Sequence, residues 1–150
     1  MAFLYNIEPM VEGAFGPNSV GHKYKPASYH GYKAKKSKGK TRWKYPVAAE
    51  YHVFNLADEH TEEMGANGVV DKRWMNDDNS GLYSMVDGCR EPLGSGEERL
   101  AFFPQTRNPN DPWHGYPIDS SDLGSGLIEH WYQSNLIDQN VYLRLLKRKL

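Results

Sequence analysis

One proline-stiffened stretch, Arg107-Asn108-Pro109-Asn110-Asp111-Pro112-Trp113-His114-Gly115-Tyr116-Pro117, sets a guanidinium, a carboxylate and an imidazole close together along the chain. Imidazole exchanges protons near neutral pH, and a guanidinium stabilises charge developing on phosphoryl or carboxyl oxygens. In this spacing His114 is the candidate general acid or base and Arg107 the candidate for transition-state charge. Asp111 is the carboxylate that would orient the imidazole. The chemistry that fits is metal-independent cleavage of an RNA phosphodiester. The competing reading is an ordered loop packed by Trp113 and Tyr116, with His114 bonded to a backbone carbonyl. No second acid or base can be assigned from the chain, which weighs for that competing reading and leaves catalysis open.

The second constellation is a tract of charge. From Gly13 to Ala49 there is no acidic residue, while Lys23, Lys25, Lys33, Lys35, Lys36, Lys38, Lys40, Arg42 and Lys44 alternate with Tyr24, Tyr29, Tyr32, Trp43 and Tyr45. Residues 50–98 reverse the sign, with twelve Asp and Glu against Lys72, Arg73 and Arg90. A formal net charge of −1 therefore hides strong segregation. Cations neutralise phosphates and aromatic faces stack on unpaired bases, so the tract is the candidate surface for RNA or single-stranded DNA. Lys33, Lys35, Lys36, Lys38, Lys40, Arg42 and Lys44 are the expected phosphate contacts, with Trp43 and Tyr45 as stacking platforms. A hairpin with its aromatics inward and its lysines solvated accounts for the pattern equally well. The alternative partner is a protein, or a second copy of the chain, docked through the basic and acidic faces.

The remaining motifs are weaker. His52, Asp58, Glu59, His60 and Glu63 are possible metal ligands, but their intervals match no standard site and read as a solvated acidic surface, so no metal or other cofactor is expected. Gly94-Ser95-Gly96 and Gly124-Ser125-Gly126 lack the Walker lysine and the dinucleotide fingerprint. The second resembles a helix start able to hold phosphate, although ordinary turn use explains both. Cys89, the single cysteine, lies beside Arg90 and reads as structural rather than nucleophilic. Alone it excludes an internal disulfide framework and a cysteine-based zinc site, and it fits a reducing compartment. The amino terminus is too short and polar for a signal peptide, and no apolar run reaches bilayer length. A cytoplasmic protein without membrane association is the expectation.

These groups need elements to hold them. At 150 residues the chain is expected to form one domain over 1–150, with the basic tract at 22–45, the acidic section at 50–98 and a helix pair at 121–149. Residues 2–7 alternate as a short strand, and Ser28–Tyr32 and Thr41–Tyr45 can pair as strands. Residues 47–64 fit a helix opened by Pro46 and stopped at Gly65, or a strand. Clustered Tyr, Val and Phe tip the reading to a strand through Asn55. Val69–Met75 and Leu82–Val86 flank the turn Asn76-Asp77-Asp78-Asn79-Ser80-Gly81 and predict a hairpin. Glu98–Phe103 reads as a strand ended by Pro104, and Arg107–Gly115 as loop. A helix capped near Ser125 runs through Leu127, Ile128, Trp131 and Tyr132. A second is capped by Asp138, with Ile137 stapled to Tyr142 and an inward stripe of Tyr142, Leu145 and Leu146. The two resemble a helix-turn-helix only loosely, since a third supporting helix is missing. The expected fold is α+β: a mostly antiparallel sheet with a carboxyl-terminal pair of short helices packed on it.

Overall fold

A computed structural model describes residues 4–32, 34, 41–60, 63–64, 70–71 and 74–150. Helix α1 spans Val47–Asp58. The strands are β1 (Glu63–Met64), β2 (Val70–Asp71), β3 (Gly81–Ser84), β4 (Leu100–Pro104) and β5 (Tyr116–Ile118). Helices α2 (Ser125–Gln133) and α3 (Gln139–Leu146) close the chain. The architecture is α+β, with an antiparallel sheet of order β3-β4-β5, a separate β1-β2 ribbon and the carboxyl-terminal helices packed on the sheet.

Helix α1 replaces the expected strand. Pro46, extended at φ −62° and ψ 165°, delivers the chain into the first turn from the position before it, rather than from within it. Ala49 and Glu50, Val53 and Phe54, and Ala57 and Asp58 then recur three and four residues apart, and all six are buried. A strand would bury only alternate residues, so packing overrides the β preference of Tyr51, Val53 and Phe54. Phe54 meets Tyr24, Phe103 and Trp113 at ring separations of 5.3, 5.2 and 5.5 Å. Burying a side chain of that size contributes roughly 1.5–3 kcal/mol. The helix ends at Asp58; Gly65, its expected stop, lies outside the described residues.

The turn at 76–81 forms where expected, but its flanks pair differently. Met75 bridges Leu82, while the full ladder of β3 is with β4, Leu82 opposite Phe103. Backbone pairing of β2 is with β1. Strand β4 runs one residue further than expected and includes Pro104, and β5, unforeseen, carries Pro117 on the sheet edge, where a missing donor is tolerated. Leu4–Ile7 form no strand; Leu4 and Ile7 are exposed. Ser28–His30 is a 3-10 turn rather than a strand, joined to the following segment by the Trp43 N–H donating to the His30 carbonyl.

Both terminal helices are capped by aspartate. Asp138 caps α3 locally, accepting from the Val141 N–H at 2.8 Å. Gly124, not Ser125, occupies the cap position of α2, and the carboxylate comes from Asp77 in the distant turn, accepting from Gly126 and Leu127 N–H at 2.8 and 2.9 Å. In α3 the buried residues are Val141 and Leu145, while Leu146 is exposed. Tyr142 stacks on Tyr132 at 4.1 Å. No helix among the described residues is long and apolar enough to cross a membrane.

Candidate active site

The last turn of α1 carries a buried aspartate that its own helix does not favour, since a negative charge lies badly at the carboxyl end of the dipole. Tertiary donors compensate. Asn18 Nδ2 donates to Asp58 Oδ2 at 2.7 Å and to Asn55 Oδ1 at 2.9 Å. His22 Nδ1 meets the same Asp58 Oδ2 at 2.8 Å. Asn18 Oδ1 also accepts from the backbone N–H of Val20 and of His22, each at 3.0 Å, which folds the loop tightly around that amide. Ser19 adds its N–H and its hydroxyl to the Glu59 carboxylate. Residues 18–22 are thus clamped on the end of α1, and His22 is fixed by contacts on both its backbone and its ring.

The electrostatics follow from this geometry. An ionised carboxylate only accepts hydrogen bonds, so Asp58 holds the proton on His22 Nδ1 and leaves Nε2 as the basic nitrogen of the neutral ring. The Asp58 side chain is 2% exposed and that of His22 30%. The imidazole lies 5.7 Å from the Trp113 ring and borders a cleft of about 690 Å³. Arg107, Thr106 and Gln105 line the cleft from the segment after β4, and Val20, Met75 and Leu82 add apolar wall. An oriented imidazole and a guanidinium therefore share one concavity.

Of the predicted trio Arg107, Asp111 and His114, Arg107 alone lines this cleft. His114 is half-buried and is not among the residues lining the cleft. Asp111 is exposed and its carboxylate accepts from Asn108 Nδ2 at 3.2 Å. Among the described residues it makes no bond to His114, so the expected orienting pair is replaced by a contact within the loop. Trp113 is pinned instead: its N–H donates to the Lys23 carbonyl, and its own carbonyl accepts from Lys25. The loop and the segment at 23–25 are fastened together, and Arg107 and His22 line one cleft. His22 and Asp58 are 36 residues apart, a separation that no local motif marks. Reading 47–58 as helix would have been the available signal.

In the basic tract, Lys33, Lys35, Lys36, Lys38 and Lys40 lie outside the described residues. Trp43 is 1% exposed and donates its indole N–H to the Gly115 carbonyl at 3.1 Å, so it is a core residue and offers no stacking face. Tyr45 is half-buried and its hydroxyl donates to Glu91 at 2.6 Å, its pKa pushed up to about 12 by burial and by that carboxylate. Arg42 donates to the Ala34 carbonyl at 3.1 Å, and Lys44 is exposed. The exposed aromatics of the tract are Tyr29 and Tyr32, at 50% and 40%, which the sequence reading did not single out as platforms.

Other candidates resolve into structure. Among the described residues no group of three His, Cys, Asp or Glu is arranged to hold a metal ion. Each glycine triplet is filled by the chain's own carboxylate: Glu98 accepts from Gly96 N–H at 3.1 Å, and Asp77 occupies the start of α2. A side chain at Gly94 or Gly124 would collide with these acids. Cys89 is buried, and burial pushes its thiol up to about 12, which leaves it a poor nucleophile. Glu50 is fully buried on α1, where Tyr24 donates to its Oε1 at 3.0 Å and Oε2 has no partner among the described residues. Burial raises its pKa to about 8, with the Tyr24 bond opposing. No protein family, curated protein or solved structure matches the chain.

Proposed function

We propose that this protein binds single-stranded nucleic acid, RNA or single-stranded DNA in preference to duplex, through the tract at 22–45. The observation that carries the reading is the run from Gly13 to Ala49, which holds nine Lys and Arg and no acid. A merely solvated face normally mixes signs, because interspersed charge keeps a surface soluble without a strong one-sided field. The exposed Tyr29 and Tyr32 supply aromatic faces within the same run, in place of Trp43 and Tyr45. Flexible single strands bring unpaired bases to such faces, whereas duplex bases are already stacked.

The test is a titration of labelled single strands at two salt concentrations. Affinity is expected to fall steeply with salt, with a logarithmic slope of about −0.7 for each phosphate neutralised. Replacing Lys35, Lys36 and Lys38 together by glutamine should flatten that slope. Tyr29→Ala and Tyr32→Ala should each cost roughly 1–3 kcal/mol if a base stacks there. Absent binding, or binding indifferent to salt, overturns the reading.

A further inference from the structure

We propose that His22 and Asp58 form the acid–base centre of an RNA-cleaving phosphodiesterase, with Arg107 as the group that stabilises the reacting phosphate. The substrate class rests on the nucleic-acid reading above; the chemistry rests on the cleft. His22 is the imidazole bordering that cleft, and its Nδ1 is committed to a buried carboxylate at 2.8 Å. That bond fixes the tautomer and leaves Nε2 as the proton acceptor. Asp58 is a positioning residue, itself held by Asn18 at 2.7 Å. Arg107 brings the guanidinium to the same concavity.

The groups present favour RNA over DNA. A lone base needs a nucleophile, and RNA carries one beside every phosphorus atom. His22 Nε2 takes the proton from the ribose 2′-hydroxyl, and the 2′-oxygen forms a bond to phosphorus. The bond from phosphorus to the 5′-oxygen breaks in line with the attack, that oxygen leaves with a proton from solvent water, and the imidazolium returns its proton to solvent. The products are a 2′,3′-cyclic phosphate and a 5′-hydroxyl; nothing is oxidised and no water is consumed. Arg107 faces the negative charge that grows on the non-bridging oxygens. Thr106 is the hydroxyl of the cleft wall and a rival nucleophile, which would need no ribose. Asp58 at the end of α1, Glu59 just after it and Arg107 from the loop are the charged groups that border the cleft with His22, and Lys23 adjoins His22 in the chain.

The experiment uses the full chain in chelator with two labelled strands, one all-deoxy and one identical but for a single ribonucleotide. Cleavage is expected only after the ribonucleotide, with a cyclic phosphate identified by mass. His22→Gln should lower the single-turnover rate about 10²–10⁴-fold while affinity for the all-deoxy strand holds. Asp58→Asn can donate to Nδ1 and reverse the tautomer, so it should lower the saturated single-turnover rate while affinity for the all-deoxy strand holds. Arg107→Gln, at an exposed position that cannot unfold the core, should lower the saturated rate. Strands that bind but are not cut overturn the catalytic proposal and leave the binding reading standing; strands that neither bind nor are cut overturn both. Cleavage undiminished in His22→Gln, or equal on the all-deoxy strand, overturns the assignment of base and nucleophile.

Discussion

The imidazole of His22 and the carboxyl of Glu50 are both placed by tertiary contacts rather than by neighbours in the chain. His114 was legible as a candidate because Arg107 and Asp111 stand close to it in sequence, yet sequence proximity left Asp111 bonded to Asn108. Arg107 lines the same cleft as His22, and its loop is fastened at Trp113 to residues 23–25. Trp43 illustrates the converse, since an aromatic between two cations reads as a platform until its other face proves to be the core. Glu50 carried no local sign of burial, and it makes a clean prediction. Its folded pKa of about 8 lies above the ordinary 4.5, so the folded state keeps a proton that the unfolded chain releases. Stability from this residue is therefore full below about pH 4.5 and is lost as pH rises towards about 8. The loss is about 1.4 kcal/mol for each pH unit within that window. Urea unfolding of Glu50→Gln, which mimics the protonated acid, should show a flatter pH profile than wild type over the same range. Parallel profiles would mean that Glu50 is ionised in the fold.

At the scale of elements, local chemistry was readable and its partners were not. The acidic turn 76–81 formed as its Asn, Asp and Gly content required, and Asp138 caps α3 three residues away as predicted. Asp77 in that same turn caps α2 from 50 residues away, and no sequence window contains both. Asn76 strengthens the joint by accepting from Gly124 N–H at 2.8 Å. The turn is thereby also the amino-terminal anchor of the helix pair. Helix α1 was misread for a related reason: local β preference was visible, whereas the Tyr24, Phe103 and Trp113 rings that reward a helical face come from three other segments. Asp77→Ala removes two backbone acceptor contacts at once and should destabilise the fold by about 1–2 kcal/mol. For a chain of this size that lowers the melting temperature by roughly 2–8 °C. The equivalent loss at Asp138 also breaks its ion pair with Arg90 and should be of similar size. An unchanged melting temperature in Asp77→Ala would show that water or Asn76 satisfies the start of α2 alone.

For the whole molecule, the α+β class was legible because turn-flanked β runs precede capped helices, and the order of elements constrains the layers. Charge segregation was legible too, but its consequence depends on what the basic tract meets first. Polyanion binding and pairing with the acidic section of another copy draw on the same lysines, so they compete. If nucleic acid is the natural occupant, the purified chain should carry it, raising absorbance at the nucleic-acid maximum, and should scatter light as one species once stripped. If the acidic section is the occupant, the stripped chain should instead gain mass with concentration and lose it with added salt, because at about 0.1 M salt exposed charges more than about 10 Å apart are largely screened and the range shrinks as salt is added. A third behaviour would trace to the exposed Leu4, Ile7 and Val11, which are 91%, 85% and 70% accessible. Association through them is hydrophobic and should strengthen in sulfate rather than weaken. Light scattering across concentration in chloride and in sulfate, with and without a single-stranded competitor, separates the three. A chloride-sensitive oligomer that the competitor fails to dissolve would move the basic tract from nucleic acid to protein recognition.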